Sequence, residues 1–127
     1  MKTLERLLLV DDDAFTNLFN KIVLEKAKIA NDIKVFQDAR EALKYLERGT
    51  ENVDLILLDI NMPLMNGWQF LEEHEKLEEN KKVHIIMMLS SSISNEDIKR
   101  AKDIPAIKKF IRKPLSSETI KEILEIC

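Results

Sequence analysis

Polar side chains interrupt the apolar runs of this 127-residue chain at a few places only, and those places share a position. Asp11, Asp12 and Asp13 follow the run 7–10, Asp59 follows 55–58, Ser90 follows 85–89 and Lys113 follows 108–112. Where the runs 7–10 and 55–58 lie side by side in a sheet, Asp59 faces Asp11 and Asp12, and three carboxylates share one pocket. Carboxylates within about 4–6 Å of one another raise each other's pKa unless a cation intervenes. A hard divalent cation with oxygen ligands suits such a pocket. Mg2+ in particular takes a carboxylate or two together with waters and phosphate oxygens. Lys113 adds a point charge on a flexible stem, and the Ser90 hydroxyl can donate to a phosphate oxygen. A carboxylate nucleophile, a metal site, an ammonium and a hydroxyl together describe phosphoryl transfer to a carboxylate, in which positioning and charge neutralisation do the catalysis. An ordinary carboxylate at position 59 is ionised at neutral pH and needs no general base.

The elements that must hold these residues are visible in the hydropathy pattern. Short apolar runs alternate five times with longer segments of helical period, the signature of βα units around a parallel sheet. Strands are predicted at 7–10, 33–36, 55–58, 85–89 and, with a weaker pattern, 108–112 around Phe110 and Ile111. The nearly unbroken Leu, Ile and Met runs fit strands covered by helices on both faces, with Met87 and Met88 in the core. Phe15, Leu18, Phe19, Ile22, Val23 and Lys26 keep the period of a first amphipathic helix, and Ala39, Ala42, Leu43 and Leu46 that of a second, ended by Gly49. A third is predicted over 67–77 with Phe70, Leu71, His74 and Leu77 on one side, and a fourth begins at 94–97. The fifth opens at 116–119 and offers Ile120, Ile123, Leu124 and Ile126 to the core. Every chemically interesting side chain then sits at the carboxyl end of a strand, the edge at which open doubly wound sheets bind ligands. Asp13 reads as a cap for the first helix.

Composition narrows the function classes. A chain of this length holds one hydrophobic core, so a single domain over 1–127 with no appended output domain is expected. With 45% hydrophobic and 34% charged residues but two Gly and three Pro, it is not collagen-like, low-complexity or disordered. The net charge of −3 has the wrong sign for a protein that mainly holds nucleic acid. The charge is uneven: residues 99–113 hold seven bases and one acid, which leaves −9 for the rest and suggests a basic face for an acidic partner. The N-terminal apolar block is too short for a signal peptide or a membrane span, so a cytoplasmic protein is expected. Cys127, the single cysteine, reads as a terminal thiol. His74 reads as a surface or boundary residue, His84 as a strand-start residue and Trp68 as packing close to the Asp59 loop.

The segments 7–13 (Leu-Leu-Leu-Val-Asp-Asp-Asp), 54–67 (with Asp59, Asn61-Met62-Pro63 and Gly67), 85–92 and 110–114 (Phe-Ile-Arg-Lys-Pro) resemble, in that order and at these spacings, the receiver domain of two-component response regulators. The resemblance covers nearly the whole chain. It implies an α/β flavodoxin-like fold, (βα)5, with a doubly wound parallel sheet of strand order 2-1-3-4-5. It implies that Asp59 accepts a phosphoryl group from a sensor histidine kinase or a histidine phosphotransfer protein. It further implies that Asp12, Asp59 and the backbone carbonyl of Asn61 hold Mg2+, with Asp11 acting through water. Ser90 matches the family's switch hydroxyl, Phe110 its switch aromatic and Lys113 its lysine, and a cis Lys113-Pro114 bond is expected. On this reading the protein is a phosphoacceptor switch that assists its own phosphorylation and dephosphorylation rather than an enzyme. Movement of Ser90 towards the phosphoryl group frees space for Phe110 and alters the face made by helix four, strand five and helix five. That face would serve a downstream protein target or a phosphorelay, with no nucleic acid and no membrane involved. Residues 104–107 depart from the family's usual Gly-Ala turn, and Ser91 stands where alanine is frequent.

Two other readings compete. A small Asp-dependent phosphatase of the haloacid dehalogenase type also places an Asp-x-Asp at a strand end, but it wants Thr or Val where Phe15 stands, and this length leaves no room for its usual cap. A receiver-like interaction module that is never phosphorylated would tolerate loss of Asp59. A DNA-binding role lacks a helix-turn-helix, and a flavin-binding role lacks a phosphate loop after the first strand.

Overall fold

The apolar runs pair into one parallel five-stranded sheet of order β2-β1-β3-β4-β5, as the resemblance implies. The computed structural model describes residues 3–127. The chain runs β1 (Leu4–Val10), α1 (Ala14–Lys26), β2 (Ala30–Phe36), α2 (Ala39–Arg48), β3 (Leu55–Asp59), α3 (Gly67–Glu75), a 3-10 turn (Glu79–Lys81), β4 (Ile86–Ser90), α4 (Asn95–Ala101), β5 (Ile107–Arg112) and α5 (Ser117–Ile126). Alternation along the central strands sends Leu8, Val10, Ile56, Leu58, Ile86 and Met88 to one face, where Ala42 and Leu46 of α2 and Phe70 and Leu71 of α3 cover them. Leu7, Leu9, Leu55, Leu57, Met87 and Leu89 go to the other face, against Leu24 of α1 and Ile120 and Ile123 of α5. Both faces are closed, which explains why β3 and β4 contain no exposed residue.

Local chemistry sets the helix ends. Asp13 caps α1 by accepting the Phe15 and Thr16 amide hydrogens, as expected from its place after the acidic pair. Asn66, Ser94 and Ser116 each begin a reciprocal capping box, and Gly49 ends α2 in the left-handed region at φ 60°. The edge strand β2 begins at Ala30 rather than at 33, because residues 30–32 pair with the start of β1 although their thin apolar pattern gives no strand signal.

Three sequence expectations are corrected. Most of the apolar stripe of α1 does not face the core: Phe15, Leu18, Phe19 and Ile22 are 84%, 59%, 49% and 44% exposed, while Val23 packs against it. Asn17, Asn20 and Leu24 take the inner side instead. Ile126 also faces outward at the end of α5. His74 is buried rather than at the surface, stacked on Phe70 with ring centroids 6.0 Å apart, and its Nε2 accepts the Val83 N–H at 2.9 Å.

Burial holds the His74 ring well below the ordinary histidine value, at about 4. The unfolded chain takes up that proton near 6.5 and the folded one does not, so stability is full above about 6.5 and falls as pH drops towards 4. His74→Gln keeps an acceptor for Val83 without the titration. Relative to that variant, the wild type is expected to lose about 2–3 kcal/mol between pH 7 and 4.5 in urea unfolding. Parallel curves would remove His74 as the cause.

Candidate functional site

Strand register brings the acidic residues together. Val10 pairs with Leu58, so Asp11 leaves β1 beside Asp59 at the end of β3. Asp11, Asp12 and Asp59 offer carboxylate oxygens that all lie within 4.8 Å of one another, with Asp11 and Asp59 buried and Asp12 open to solvent. Ser90 pairs with Arg112, and its carbonyl accepts the Lys113 N–H at 2.9 Å, which brings the β5–α5 loop to the same edge. The Lys113-Pro114 bond is cis, as expected. From that loop the Lys113 Nζ reaches Asp11 Oδ2 at 2.9 Å and Asp59 Oδ1 at 3.2 Å.

The electrostatics of the pocket are those of excess negative charge. Burial first and the neighbouring Asp11 charge second push the Asp59 carboxyl up to about 6, against the pull of Lys113 and of the Asn61 N–H bonded to it. Burial opposes the Lys113 charge, but its hydrogen bond to Asp11 and the nearby Asp59 charge outweigh that and raise the ammonium above its ordinary value. Among the described residues one ammonium thus faces three carboxylates, with Asp12 on the solvent side. Convergent, all-oxygen donors in a pocket with charge still to neutralise fit a hard divalent cation such as Mg2+.

The loop after Asp59 is packed tightly against the acceptor backbone. Gly67 opens α3, and its N–H donates to the Ile60 carbonyl at 2.8 Å. Leu64 stands in the left-handed region at φ 69° and is exposed near the tip of this loop.

Of the residues singled out from sequence, Asp11, Asp12, Asp59 and Lys113 meet in the pocket, and Asn61 joins them through its backbone. Ser90 is buried at the same edge, but its hydroxyl is engaged within its own loop, donating to the Ser92 carbonyl and accepting the Ser92 N–H at 3.1 Å. Phe110 is half-buried and packs against the core on the α2–α3 side of the sheet, apart from the acidic cluster. Asp13 serves the α1 cap and is outside the cluster. The basic stretch is partly neutralised: Arg100 lies 4.9 Å from the Trp68 ring centroid and 3.6 Å from Glu72, and Lys109 pairs with Glu122 at 3.2 Å. Lys99, Lys102, Lys108 and Arg112 stay exposed. Asn17 and Asn20 were not legible as site residues, although paired asparagines three apart inside a helix are a signal, since that side chain is a poor helix former.

Residues 7–125 match the family described as the response regulator receiver domain. The chain belongs to that family. The receiver is 40% identical over 119 residues to a protein-glutamate methylesterase/protein-glutamine glutaminase of Treponema denticola, covering 90% of this chain but only 30% of that protein. It is 29% identical over 122 residues to the chemotaxis protein CheY of Thermotoga maritima, covering 94% of each. A solved two-component response regulator from Cytophaga hutchinsonii shares the receiver's fold with a TM-score of 0.87, over 98% of this chain and 97% of that one at 24% identity. Among the described residues no helix is long and apolar enough to cross a membrane.

Proposed function

We propose that this receiver accepts a phosphoryl group on Asp59 from a phosphohistidine of a sensor histidine kinase or a histidine phosphotransfer protein, and that the acylphosphate switches its α4–β5–α5 face. The observation that carries this reading is the pocket itself: a buried, partly charge-frustrated Asp59 held by Lys113 beside Asp11 and Asp12. In the transfer, the P–N bond to the donor histidine breaks as an Asp59 carboxylate oxygen forms the new O–P bond, so the carboxylate must be ionised, as it largely is above pH 6. Asp12, Asp59 and the Asn61 carbonyl would hold Mg2+ directly and Asp11 through water. The bound ion would offset the charge of the transferred group and of the carboxylates around it.

Lys113 already touches Asp59 and can turn to a phosphoryl oxygen without leaving Asp11. On this reading Ser90 would exchange its Ser92 partners for the new group, with the Ser92-bonded loop as the unphosphorylated arrangement. The short helix α4, which has no fully buried residue, and the half-buried Phe110 would respond. Moving such a surface from 1% to 99% active takes about 5.5 kcal/mol of preference, which a few charge-assisted hydrogen bonds to the phosphoryl group can largely supply. The donor would approach past Phe15, Phe19, Ser91 and Pro114, which line a depression beside Lys113. The exposed Lys99, Lys102, Lys108 and Arg112 favour an acidic downstream target.

Intact mass after incubation with acetyl phosphate tests the acceptor. A single phosphoryl adduct is expected in the wild type, dependent on Mg2+, and none in Asp59→Asn. An adduct that persists in Asp59→Asn would move the chemistry elsewhere. A folded wild type that takes up neither phosphoryl nor beryllofluoride would leave an interaction module.

A further inference from the structure

Helix α1 turns two asparagines inward and an apolar stripe outward, an inversion that needs a physical reason. Buried amides cost stability unless they are hydrogen-bonded, so two of them on the inner side of a helix need partners there. Each asparagine holds a different loop of the candidate site. Asn17 Nδ2 donates to the Asp11 carbonyl at 2.7 Å, at the root of the acidic pair. Asn20 Oδ1 accepts the Leu115 N–H at 3.2 Å, two residues beyond Lys113. The orientation of both amides is forced, because a carbonyl demands the Asn17 nitrogen and an N–H demands the Asn20 oxygen.

The atoms that remain are Asn17 Oδ1 and Asn20 Nδ2, both buried and without a hydrogen-bond partner among the described residues. One is an acceptor and the other a donor, three residues apart on the same helical face, where side chains are neighbours. Joined, they complete a chain of one polarity. The Leu115 N–H donates to Asn20, Asn20 donates to Asn17, and Asn17 donates to the Asp11 carbonyl. Bonds aligned in this way strengthen one another. In the present structure the outer links are made and the middle one is open.

We propose that Asn17 and Asn20 are positioning residues forming a relay that couples the loop of Asp11 and Asp12 to the loop of Lys113, with the middle link closing when a cation draws the acidic loop in. The inference rests on the receiver reading above. It makes α1 the strut that ties cation binding at one loop to placement of the phosphate-contacting lysine on the other.

The distinguishing test is an effect at a loop that the altered residue does not touch. Calorimetric Mg2+ titration of the full chain is run for wild type, Asn17→Leu, Asn20→Leu and the double variant, with Asn20→Ala guarding against a packing clash. Asn20→Leu is expected to weaken Mg2+ binding about three- to tenfold, the size of one net hydrogen bond, although Asn20 bonds to neither acidic side chain. The double variant should bind no more weakly than the weaker single one. The melting temperature should fall somewhat in each single variant, since the Leu115 N–H or the Asp11 carbonyl loses its partner, so the readout is the Mg2+ affinity of variants that remain folded at the titration temperature. Hydrogen exchange at the Leu115 amide should slow on Mg2+ addition in wild type and not in Asn17→Leu. Wild-type affinity in both Asn20 variants, or losses that multiply in the double variant, would overturn the relay and leave the receiver reading intact. A wild type that binds no Mg2+ would overturn both.

Discussion

Lys113→Ala is expected to lose about 3–5 kcal/mol of folding stability at pH 8, the usual loss when one partner of a buried ion pair is removed. The reason lies in the double contact of Nζ, at 2.9 Å to Asp11 and 3.2 Å to Asp59. Without it, two buried carboxylates face each other with no ammonium between them. The Asp59 carboxyl, already raised to about 6 with Lys113 pulling it down, must then rise further. A carboxylate with a raised folded pKa contributes stability that is present below its unfolded value and lost as pH rises through the folded one. The deficit of Lys113→Ala should therefore shrink between pH 8 and 5 as the pair takes up a proton. Mg2+ should also restore part of it by replacing the missing positive charge. Urea unfolding at both pH values, with and without Mg2+, reads all three effects. A variant as stable as wild type at pH 8 would mean that the contacts contribute nothing net. Phosphorylation by acetyl phosphate should fall in the same variant, with its pH profile moved upward because ionised Asp59 becomes scarcer at neutral pH.

Gly67→Ala acts on the same aspartate from behind. A Cβ on Gly67 would lie 2.8 Å from the Asp59 carbonyl oxygen, 3.0 Å from the Ile60 Cα and 3.1 Å from the Met88 Cε. Methionine can yield, but the two backbone atoms cannot move alone, because the Gly67 N–H is itself bonded to the Ile60 carbonyl. Relief requires that α3 and the end of β3 separate, and that displacement carries Asp59 away from Lys113 and Asp12. Overpacking of this kind costs about 1–3 kcal/mol. The effect on phosphorylation is expected to be larger, on the order of 100-fold, since displacement of a reacting group by about 1 Å is enough for that. The rate of adduct formation, compared with the melting temperature, separates the two effects. Wild-type rates in Gly67→Ala would show that the loop tolerates the methyl group and that close packing there does not set the geometry of the acceptor.

The two variants also discriminate between charge and position. Lys113→Ala removes charge at a fixed backbone and should respond to pH and to Mg2+. Gly67→Ala displaces the backbone with every charge retained, so Mg2+ should restore it less than it restores Lys113→Ala. Equal rescue of both by Mg2+ would mean that the ion organises the loop as well as neutralising it.

Much of the site was legible because an apolar run interrupted by charge can end only where a strand leaves a buried sheet. That reasoning placed Asp11, Asp12, Asp59, Ser90 and Lys113 on one edge, and the register agrees. The caps at Asp13 and Ser116 and the stop at Gly49 were legible for a local reason, since each depends on a hydrogen bond or a φ angle within a few residues. The outer half of β2 was not, because an edge strand has no continuous apolar signal.

Tertiary structure decided what periodicity cannot. Helix α1 carries two stripes of the same period, one of Phe15, Leu18, Phe19 and Ile22 and one of Asn17, Asn20 and Leu24, and hydropathy favours the first as the buried one. The second is buried, because the Asp11 carbonyl just before α1 and the Leu115 N–H from a distant loop both meet the helix on that side. His74 is buried for a similar reason, since the Val83 N–H needs an acceptor where the chain enters β4. Ser90 was placed correctly, yet its resting partner in Ser92 depends on a loop conformation that no spacing encodes. Pattern determined the strands and the charged residues at their carboxyl ends, while the order of the strands in the sheet came with the family resemblance. Hydrogen bonds from the Asn17 and Asn20 side chains to backbone groups, the second spanning 95 residues of chain, chose the inward face of α1 and therefore which residues tie the pocket's two loops together.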